Sequence, residues 1–377
     1  MKMSVKLGDI LTISRGASPR PISKYITTNS DGINWIKIGD VEPDSFYITK
    51  TEEKITPEGA KKSRLVKEGD FILSNSMSFG RPYILKINGC VHDGWLILSD
   101  YEETLISSYL YYLLRSPVIQ SQFDGSANGS TVRNLNSDIV RNVKVSIHTD
   151  KKVQKDIVNR LDTIQSAIDN KKQQLSLLDE AVKSEFVEMF GENPVESGKW
   201  KVENLGTKSE LITKGASPRW QGIEYQAEGT LFVTSENVRE GYVDLTKSKY
   251  LPDEINKLLP RSILKKNDIL INIVGASIGR AAIYDLEQNA NINQAVALVR
   301  LNTCDLNNIF LIIYLNSDLA MKSYKSMIKG GARDNLSLQN ISDLQIPVPP
   351  LDLQNRFAAF VQQIDKSKSL VKQQLAD

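Results

Sequence analysis

Arginine, lysine, serine and asparagine residues stand beside glycine-containing turns in both halves of this sequence. The pentapeptide GASPR, for example, occurs at residues 16–20 and again at residues 215–219. Side chains of these types bind phosphate oxygens and the hydrogen-bonding edges of bases. The sequence therefore predicts a DNA-binding surface built from turns. Its candidate residues are Ser18, Arg20, Lys24, Lys37, Asn75, Ser76, Ser78, Arg81, Arg133 and Asn134 in the first half, and Ser217, Arg219, Trp220, Asn272, Ser277, Arg280, Arg333 and Asn335 in the second.

The recurrence of this set, rather than any single member, supports the interpretation. Taken alone, each residue is consistent with an ordinary turn or surface position. Other landmarks recur in the same order, namely Leu7-Gly8 with Leu205-Gly206, Gly80-Arg81 with Gly279-Arg280, and Asn134-Leu135 with Asn335-Leu336. An internal duplication produces such an order. The sequence therefore predicts two copies of one globular domain.

No motif of a catalytic site accompanies these residues. The chain lacks a G-x-x-x-x-G-K-[ST] phosphate loop and a G-x-S-x-G nucleophile elbow, and residues 275–280 lack the spacing of a dinucleotide-binding motif. Cys90 and His92 fall on one face of a predicted strand, where a buried pair is favoured over a catalytic dyad. Because His92 and His148 are the only histidines, a histidine-rich metal site is excluded. We expect no catalytic residue, no metal and no cofactor in this chain.

The amino-acid composition limits which classes of protein this chain can belong to. The chain has 377 residues, of which 41% are hydrophobic and 24% charged, as in soluble globular proteins with two or three domains. Only two cysteines are present, and no apolar run reaches the ~18 residues of a membrane span. These features predict a cytoplasmic location. Since the formal net charge is only +2, a nucleic-acid surface must be a local basic patch.

The hydrophobic patterns between the turns indicate which strands and helices position the candidate residues. Residues 33–41 and 230–238 alternate apolar and polar side chains, as strands do. The apolar patterns of residues 104–123 and 306–328 each predict one helix. Each half of the chain is therefore expected to form a β-rich globular domain with helices.

A long helix is predicted after each globular half, because apolar residues recur there at alternating steps of four and three. The first helix is expected to begin with a cap at Thr149 or Asp150. One lysine interrupts each apolar seam, Lys171 and Lys368, and it either fixes the register or extends its ammonium group to the edge of the bundle. The residues expected to pack between the helices are Ile157, Leu161, Ile164, Ile168, Leu175, Leu178, Phe357, Val361, Ile364 and Val371.

The predicted fold class is α+β, with two similar β-rich domains joined by two long antiparallel helices about a pseudo-two-fold axis. The predicted boundaries are 1–149 for the first domain, 150–190 for the first helix, 191–349 for the second domain and 350–377 for the second helix. The second helix is the shorter one, either naturally or by truncation. A shorter partner leaves apolar seam residues uncovered, so self-association is a further expectation.

These landmarks together resemble the specificity (S) subunits of Type I restriction-modification systems. The resemblance covers almost the entire chain and rests on "LGDI…GASPR", "WIKIGDV", "EGDFILSN…GR", "NGSTVRNLN", "NINQAV" and "IPVPPLDLQ". It implies that each globular unit is a target-recognition domain for one half of a split double-stranded DNA site, and that the helices form a coiled-coil spacer. It also implies two methyltransferase (M) subunits that bind S-adenosylmethionine, and restriction (R) subunits that use ATP.

Two features leave alternatives open. The first half has "VHDGWLIL" where the second has "NINQAVAL", so the two units are expected to present this strand differently. The near-balance of charge also permits an adapter whose β-rich modules bind a partner other than DNA. Steep salt dependence of binding would distinguish DNA recognition from that alternative.

Overall fold

The chain divides into two compact units, Met1–Asp169 and Asn170–Asp377, each built from sheets with helices packed on them. The computed structural model describes residues 2–41, 45–75, 80–126, 135–218, 222–302, 304–328 and 335–376. The predicted α+β class is confirmed. Within the described residues, no helix combines the length and the apolar character needed to cross a membrane.

The described strands of unit 1 form two five-stranded sheets and one strand pair. The strands are β1 (Lys2–Lys6), β2 (Thr12–Arg15), β3 (Ile26–Thr27), β4 (Ile33–Ile36), β5 (Tyr47–Ile48), β6 (Glu53–Ile55), β7 (Arg64–Val66), β8 (Phe71–Ser74), β9 (Pro82–Leu85), β10 (Gly89–Val91), β11 (Trp95–Ser99) and β12 (Lys144–His148). The sheet orders are β2-β11-β8-β9-β5 and β3-β6-β4-β10-β7, and β1 pairs with β12. The helices are α1 (Pro57–Lys61), α2 (Ser107–Arg115), α3 (Pro117–Ser126), α4 (Ser137–Asn142) and α5 (Lys151–Phe190), of which α5 continues into unit 2.

Unit 2 repeats the central part of this topology. Its described strands are β13 (Lys201–Asn204), β14 (Ser209–Lys214), β15 (Thr230–Val233), β16 (Tyr250–Leu251), β17 (Ile269–Asn272), β18 (Ala281–Ile283), β19 (Ala290–Ile292), β20 (Val296–Leu301) and β21 (Gln345–Val348). Its helices are α6 (Ile255–Leu258), α7 (Asn308–Leu315), α8 (Asp318–Met327), α9 (Leu338–Asp343) and α10 (Leu351–Ala376). The order β14-β20-β17-β18 matches β2-β11-β8-β9, and the pair β13-β21 matches β1-β12. The parallel pair β15-β19 likewise matches β4-β10, so the duplication extends to the fold.

The two predicted single helices of the globular halves are wrong, because each is broken into two. In unit 1, α2 ends at Arg115 and α3 begins at Pro117, with Ser116 between them in an extended conformation. Proline cannot continue a helix, and it disfavours helical geometry in the residue before it. In unit 2, the Ser317 side chain caps α8 by accepting from the Ala320 N–H. A capping residue thus produces in unit 2 the break that proline produces in unit 1.

The long helices begin where the sequence places them. The Asp150 carboxylate accepts from the Lys152 N–H at 2.8 Å, which confirms Asp150 as the cap of α5. Helix α10 begins at Leu351, directly after Pro349-Pro350. Proline is well tolerated at this boundary, because the first N–H groups of a helix have no intrahelical acceptor.

Within unit 2, the last part of α5 packs antiparallel against α10. The rings of Phe186 and Phe357 lie 5.5 Å apart near the beginning of α10. Further along α10, Lys368 Nζ lies 2.6 Å from the Asp179 carboxylate, at an earlier position on α5. Lys368 therefore forms an ion pair between the two helices, and its partner Asp179 is exposed, so the contact is compatible with both interpretations of this residue.

The predicted packing residues of the long helices are covered to different degrees. Phe357, Val361 and Val371 are buried. The half-buried positions are Ile157, Leu161, Ile168, Leu175, Leu178 and Ile364. Ile164 departs from the prediction, since its side chain is 57% exposed. Between Val158, which packs in the core of unit 1, and Ile164, the helix leaves that core, and the heptad pattern alone gave no sign of this.

Candidate nucleic-acid interface

A three-residue turn follows β10 in unit 1 and β19 in unit 2, and it has the same backbone bonding in both. We call residues 92–94 the β10 turn and residues 293–295 the β19 turn. In the first, the Trp95 N–H donates to the His92 carbonyl at 3.2 Å, and in the second, the Val296 N–H donates to the Asn293 carbonyl at 3.2 Å. The third residue of each turn also accepts a backbone hydrogen bond from the residue that follows a neighbouring strand. The Asn75 N–H donates to the Gly94 carbonyl in unit 1, and the Ile273 N–H donates to the Ala295 carbonyl in unit 2. Asp93 and Gln294 are therefore structurally equivalent middle residues.

The repeated pentapeptide packs directly on these turns. A Cβ added to Gly16 would overlap the His92 carbonyl, and one added to Gly215 would overlap the Ile292 carbonyl. Only glycine allows so close an approach of two backbones. The glycine of each GASPR segment therefore has a structural role: it brings its own backbone against the turn, and in unit 1 the segment continues with Ser18 and Arg20 beside it.

In unit 1, four side chains hold the β10 turn through its middle residue. Ser18 Oγ donates to Asp93 Oδ1 at 2.6 Å, and Arg20 Nη2 lies 3.2 Å from Asp93 Oδ2. The Asp93 carbonyl accepts from Arg15 Nε at 3.0 Å and from Asn75 Nδ2 at 2.9 Å. The bond from Ser18 stabilises the ionised carboxylate and lowers the pKa of Asp93.

The exposure of this cluster gives it access to a ligand. The Arg20 side chain is 82% exposed and that of Asp93 is 41% exposed. Only Nη2 of the Arg20 guanidinium contacts Asp93, so its other N–H groups can bind a phosphate while this ion pair persists. Lys24, which follows Arg20 closely along the chain, is also exposed. The beginning of unit 1 thus presents positive charge around a fixed carboxylate.

Two predicted DNA-contacting asparagines are corrected, because both are buried. Besides bonding to the Asp93 carbonyl, Asn75 accepts the Leu135 N–H at its own carbonyl, at 2.9 Å. Asn272 Nδ2 donates to the Ser235 carbonyl and to Ser277 Oγ, both at 3.0 Å. Both side chains hold the turns together. The two asparagines are not equivalent to each other, because the position equivalent to Asn272 in unit 1 is Ser74. The N–H of Ser74 donates to the carbonyl of Arg81, directly before β9, and the N–H of Asn272 donates to the carbonyl of Arg280, directly before β18.

The other described candidates lie in several environments. Lys37 forms an ion pair with Glu53 at 3.0 Å, so its charge is partly neutralised. Arg81 and Asn335 are exposed, whereas Ser217, Ser277 and Arg280 are half-buried. The candidates Ser76, Ser78, Arg133, Asn134, Arg219, Trp220 and Arg333 lie outside the described residues.

Sequence reasoning missed Arg15 and Asp93 as members of the cluster. The residue types that suggest DNA binding are basic, amide and hydroxyl ones, and Asp93 is an acid that lies 73 positions from Arg20 in the sequence. The signal was nevertheless present. The difference between "HDG" and "NQA" marks the place where the two turns diverge in sequence while their backbones match.

Comparisons with known proteins agree with the resemblance. Residues 2–180 and 223–377 match the family described as the Type I restriction modification DNA specificity domain. The specificity subunit of the Type I restriction enzyme EcoBI from Escherichia coli is 23% identical over 390 residues, which cover 96% of this chain and 79% of that protein. The specificity subunit of the Type I restriction enzyme MjaIX from Methanocaldococcus jannaschii is 22% identical over 377 residues, covering 95% of this chain and 85% of that protein.

Solved structures share the fold over the whole chain. The S subunit of the Type I restriction-modification system from M. genitalium superimposes with a TM-score of 0.54 at 14% identity, covering 100% of this chain and 92% of that chain. A chain from a study of complex assembly and conformational transition of the type I R-M system gives a TM-score of 0.61 at 17% identity, covering 100% and 93%. Since the family pattern matches well over half of the residues, this chain belongs to the Type I restriction modification DNA specificity domain family.

Proposed function

We propose that this chain is the DNA-recognising subunit of a Type I restriction-modification complex, and that its two units read two unlike halves of a split site. Family membership supports recognition of DNA. The observation that carries the split site is the pair of turns, which have the same backbone but present Asp93 in one unit and Gln294 in the other. One framework with two different side-chain sets suits two different base sequences.

The proposed partners supply the chemistry. The relatives are specificity subunits of Type I restriction enzymes, so the expected partners are two methyltransferase subunits with S-adenosylmethionine and restriction subunits with ATP. This chain then has no catalytic step of its own. In keeping with this role, the polar groups of the β10 turn bond to one another and to backbone groups, an arrangement suited to fixing loop geometry. The long helices α5 and α10 are the proposed spacer and docking surface.

Arg20→Ala is expected to weaken binding of the assembled methyltransferase complex to its split site several-fold. Removal of one phosphate contact should also lower the slope of log affinity against log salt by about 1. The same result is expected for Arg219→Ala. A filter-binding titration over a range of salt concentrations measures both quantities. The target DNA for it comes from long-read mapping of methylated adenines in the host genome.

Arg261→Ala is a suitable control, because Arg261 is an exposed arginine of the same unit that lies in neither the β19 turn nor the second GASPR segment. It should leave the affinity and the salt slope unchanged. If the complex showed no salt-dependent binding to any DNA, the adapter alternative would replace the proposed function. If it bound DNA but both arginine variants matched the wild type, the assignment of these two residues would be wrong.

A further inference from the structure

We propose that Asp93 and Gln294 are equivalent specificity-determining residues, each of which contacts one base of the half-site read by its own unit. Asp93 would accept a hydrogen bond from the exocyclic amino group of cytosine or adenine. Gln294 would both donate and accept, a pattern that fits adenine. The inference rests on the proposed function and deepens it by naming the residues that make the half-sites different.

Several backbone hydrogen bonds show that Asp93 and Gln294 occupy equivalent positions in the two units. Besides the bonds within each turn, the His92 N–H donates to the Ile36 carbonyl, and the Asn293 N–H donates to the Val233 carbonyl at 3.0 Å. These acceptors end β4 and β15, the strands that pair in parallel with β10 and β19. The middle residue of each turn therefore lies at the same place in the fold. Differences between the units at this position lie in the side chain.

The Asp93 carboxylate is held in place and, among the described residues, keeps room for a further donor. Its oxygens accept one bond from Ser18 and one from Arg20, and a carboxylate offers about four acceptor positions. The two bonds from Arg15 and Asn75 to its carbonyl restrain the backbone as well. A group held in this way loses little conformational freedom when it binds. Because an ionised carboxylate cannot donate, it favours an amino group over the acceptor edges of guanine and thymine.

The charge of Asp93 is compensated where DNA would approach. A carboxylate near the phosphate backbone repels DNA, but Arg20 lies 3.2 Å from it and Arg15 bonds to the same residue. In unit 2 the equivalent residue is uncharged. Gln294 is exposed, and its turn is supported by the Asn293 side chain, which accepts the Ala295 N–H at 3.1 Å. Thus each turn presents an accessible polar group on a restrained backbone.

Reciprocal replacement tests the proposal. We expect Asp93→Gln to change the preferred base in one half of the split site, with about a ten-fold loss of preference for the original base, which is within the range of one good base contact. Gln294→Asp should change the other half only. Long-read sequencing of DNA methylated by complexes with each variant gives the preference at every position. Asp31→Gln, at an exposed acid in the same unit, should leave the whole motif unchanged.

The outcomes separate this inference from the proposed function. A wild-type complex that methylates no split motif contradicts the function itself. Variants that fold and methylate the wild-type motif with unchanged preference contradict only the assignment of Asp93 and Gln294. If Asp93→Gln is inactive, Asp93→Asn is the variant to test instead, because the asparagine side chain has the same shape as aspartate and retains an acceptor for Ser18. An unchanged motif in Asp93→Asn overturns the assignment for unit 1.

Discussion

Arg300→Ala is expected to destabilise unit 2 by about 3–5 kcal/mol, because it leaves a buried carboxylate without its partner. Arg300 Nε lies 2.7 Å from Asp268 Oδ1, and Arg300 Nη2 lies 2.6 Å from Asp268 Oδ2. Asp268 is only 2% exposed. The same carboxylate accepts the Lys265 N–H, so it holds the turn before β17 in addition to the guanidinium. The hydrogen bonds to Asp268 also raise the pKa of Arg300.

Urea denaturation of the full chain, followed by hydrogen exchange at the backbone amides of β17 and β20, measures this effect in unit 2 separately from unit 1. Arg261→Ala is the matched control, and it should stay within about 0.5 kcal/mol of the wild type because Arg261 is exposed. The double replacement Arg300→Met with Asp268→Asn should recover much of the loss, since it removes both charges and keeps an acceptor for the Lys265 N–H. A change below about 1 kcal/mol in Arg300→Ala would show that the charge of Asp268 is satisfied in another way.

Unit 1 contains the same buried aspartate without the arginine. Asp70 Oδ2 accepts the Lys67 N–H at 2.9 Å, as Asp268 does from Lys265. The strand pairing places Ser99 where unit 2 has Arg300. Burial consequently raises the pKa of Asp70. The partner of Asp268 lies 32 residues away on another strand, so only the sheet register reveals it.

Local patterns predicted local features of this chain, and they missed features that depend on distant contacts. The Asp150 cap and the beginning of α10 follow from residues next to each other in sequence. By contrast, the burial of Asn75 and Asn272 depends on the turns that pack against them. Their residue type suits a base contact, but the fold uses both amides to bond backbone carbonyls. The repeated GASPR was likewise informative about duplication before its packing on the turns was known.

Each long helix is joined to a globular unit by one buried glutamine, Gln154 in α5 and Gln354 in α10. Both glutamines make the same three hydrogen bonds. Gln154 Oε1 accepts the Ile106 N–H at 2.9 Å, and Gln354 Oε1 accepts the Asn307 N–H at 2.8 Å. Gln154 Nε2 donates to the carbonyls of Thr104 and His148. Gln354 Nε2 donates to those of Asp305 and Pro349. Both side chains are 0% exposed, so water cannot replace these bonds without a local opening.

Gln354→Leu is expected to destabilise unit 2 by about 3 kcal/mol or more, because it removes three hydrogen bonds made by a fully buried side chain. Urea denaturation measures the loss, and hydrogen exchange should show reduced protection of the Asn307 amide in particular. Gln154→Leu should have the same effect in unit 1, with the Ile106 amide as the reporter. These two amides begin α7 and α2, so local opening there would loosen the junction between helix and globular unit.

The chemistry of the glutamine, rather than its volume, is the expected cause of this stabilisation. Gln354→Glu keeps the shape and one acceptor, but it replaces a double donor with an oxygen that faces two carbonyls, so it should be at least as destabilising as Gln354→Leu. Gln363→Leu makes the same replacement at an exposed position of α10 and should stay within about 0.5 kcal/mol of the wild type. If Gln354→Glu instead matched the wild type, the carbonyl bonds would not be what holds α10 to unit 2. In that case the aromatic packing around Phe357 would have to account for the attachment.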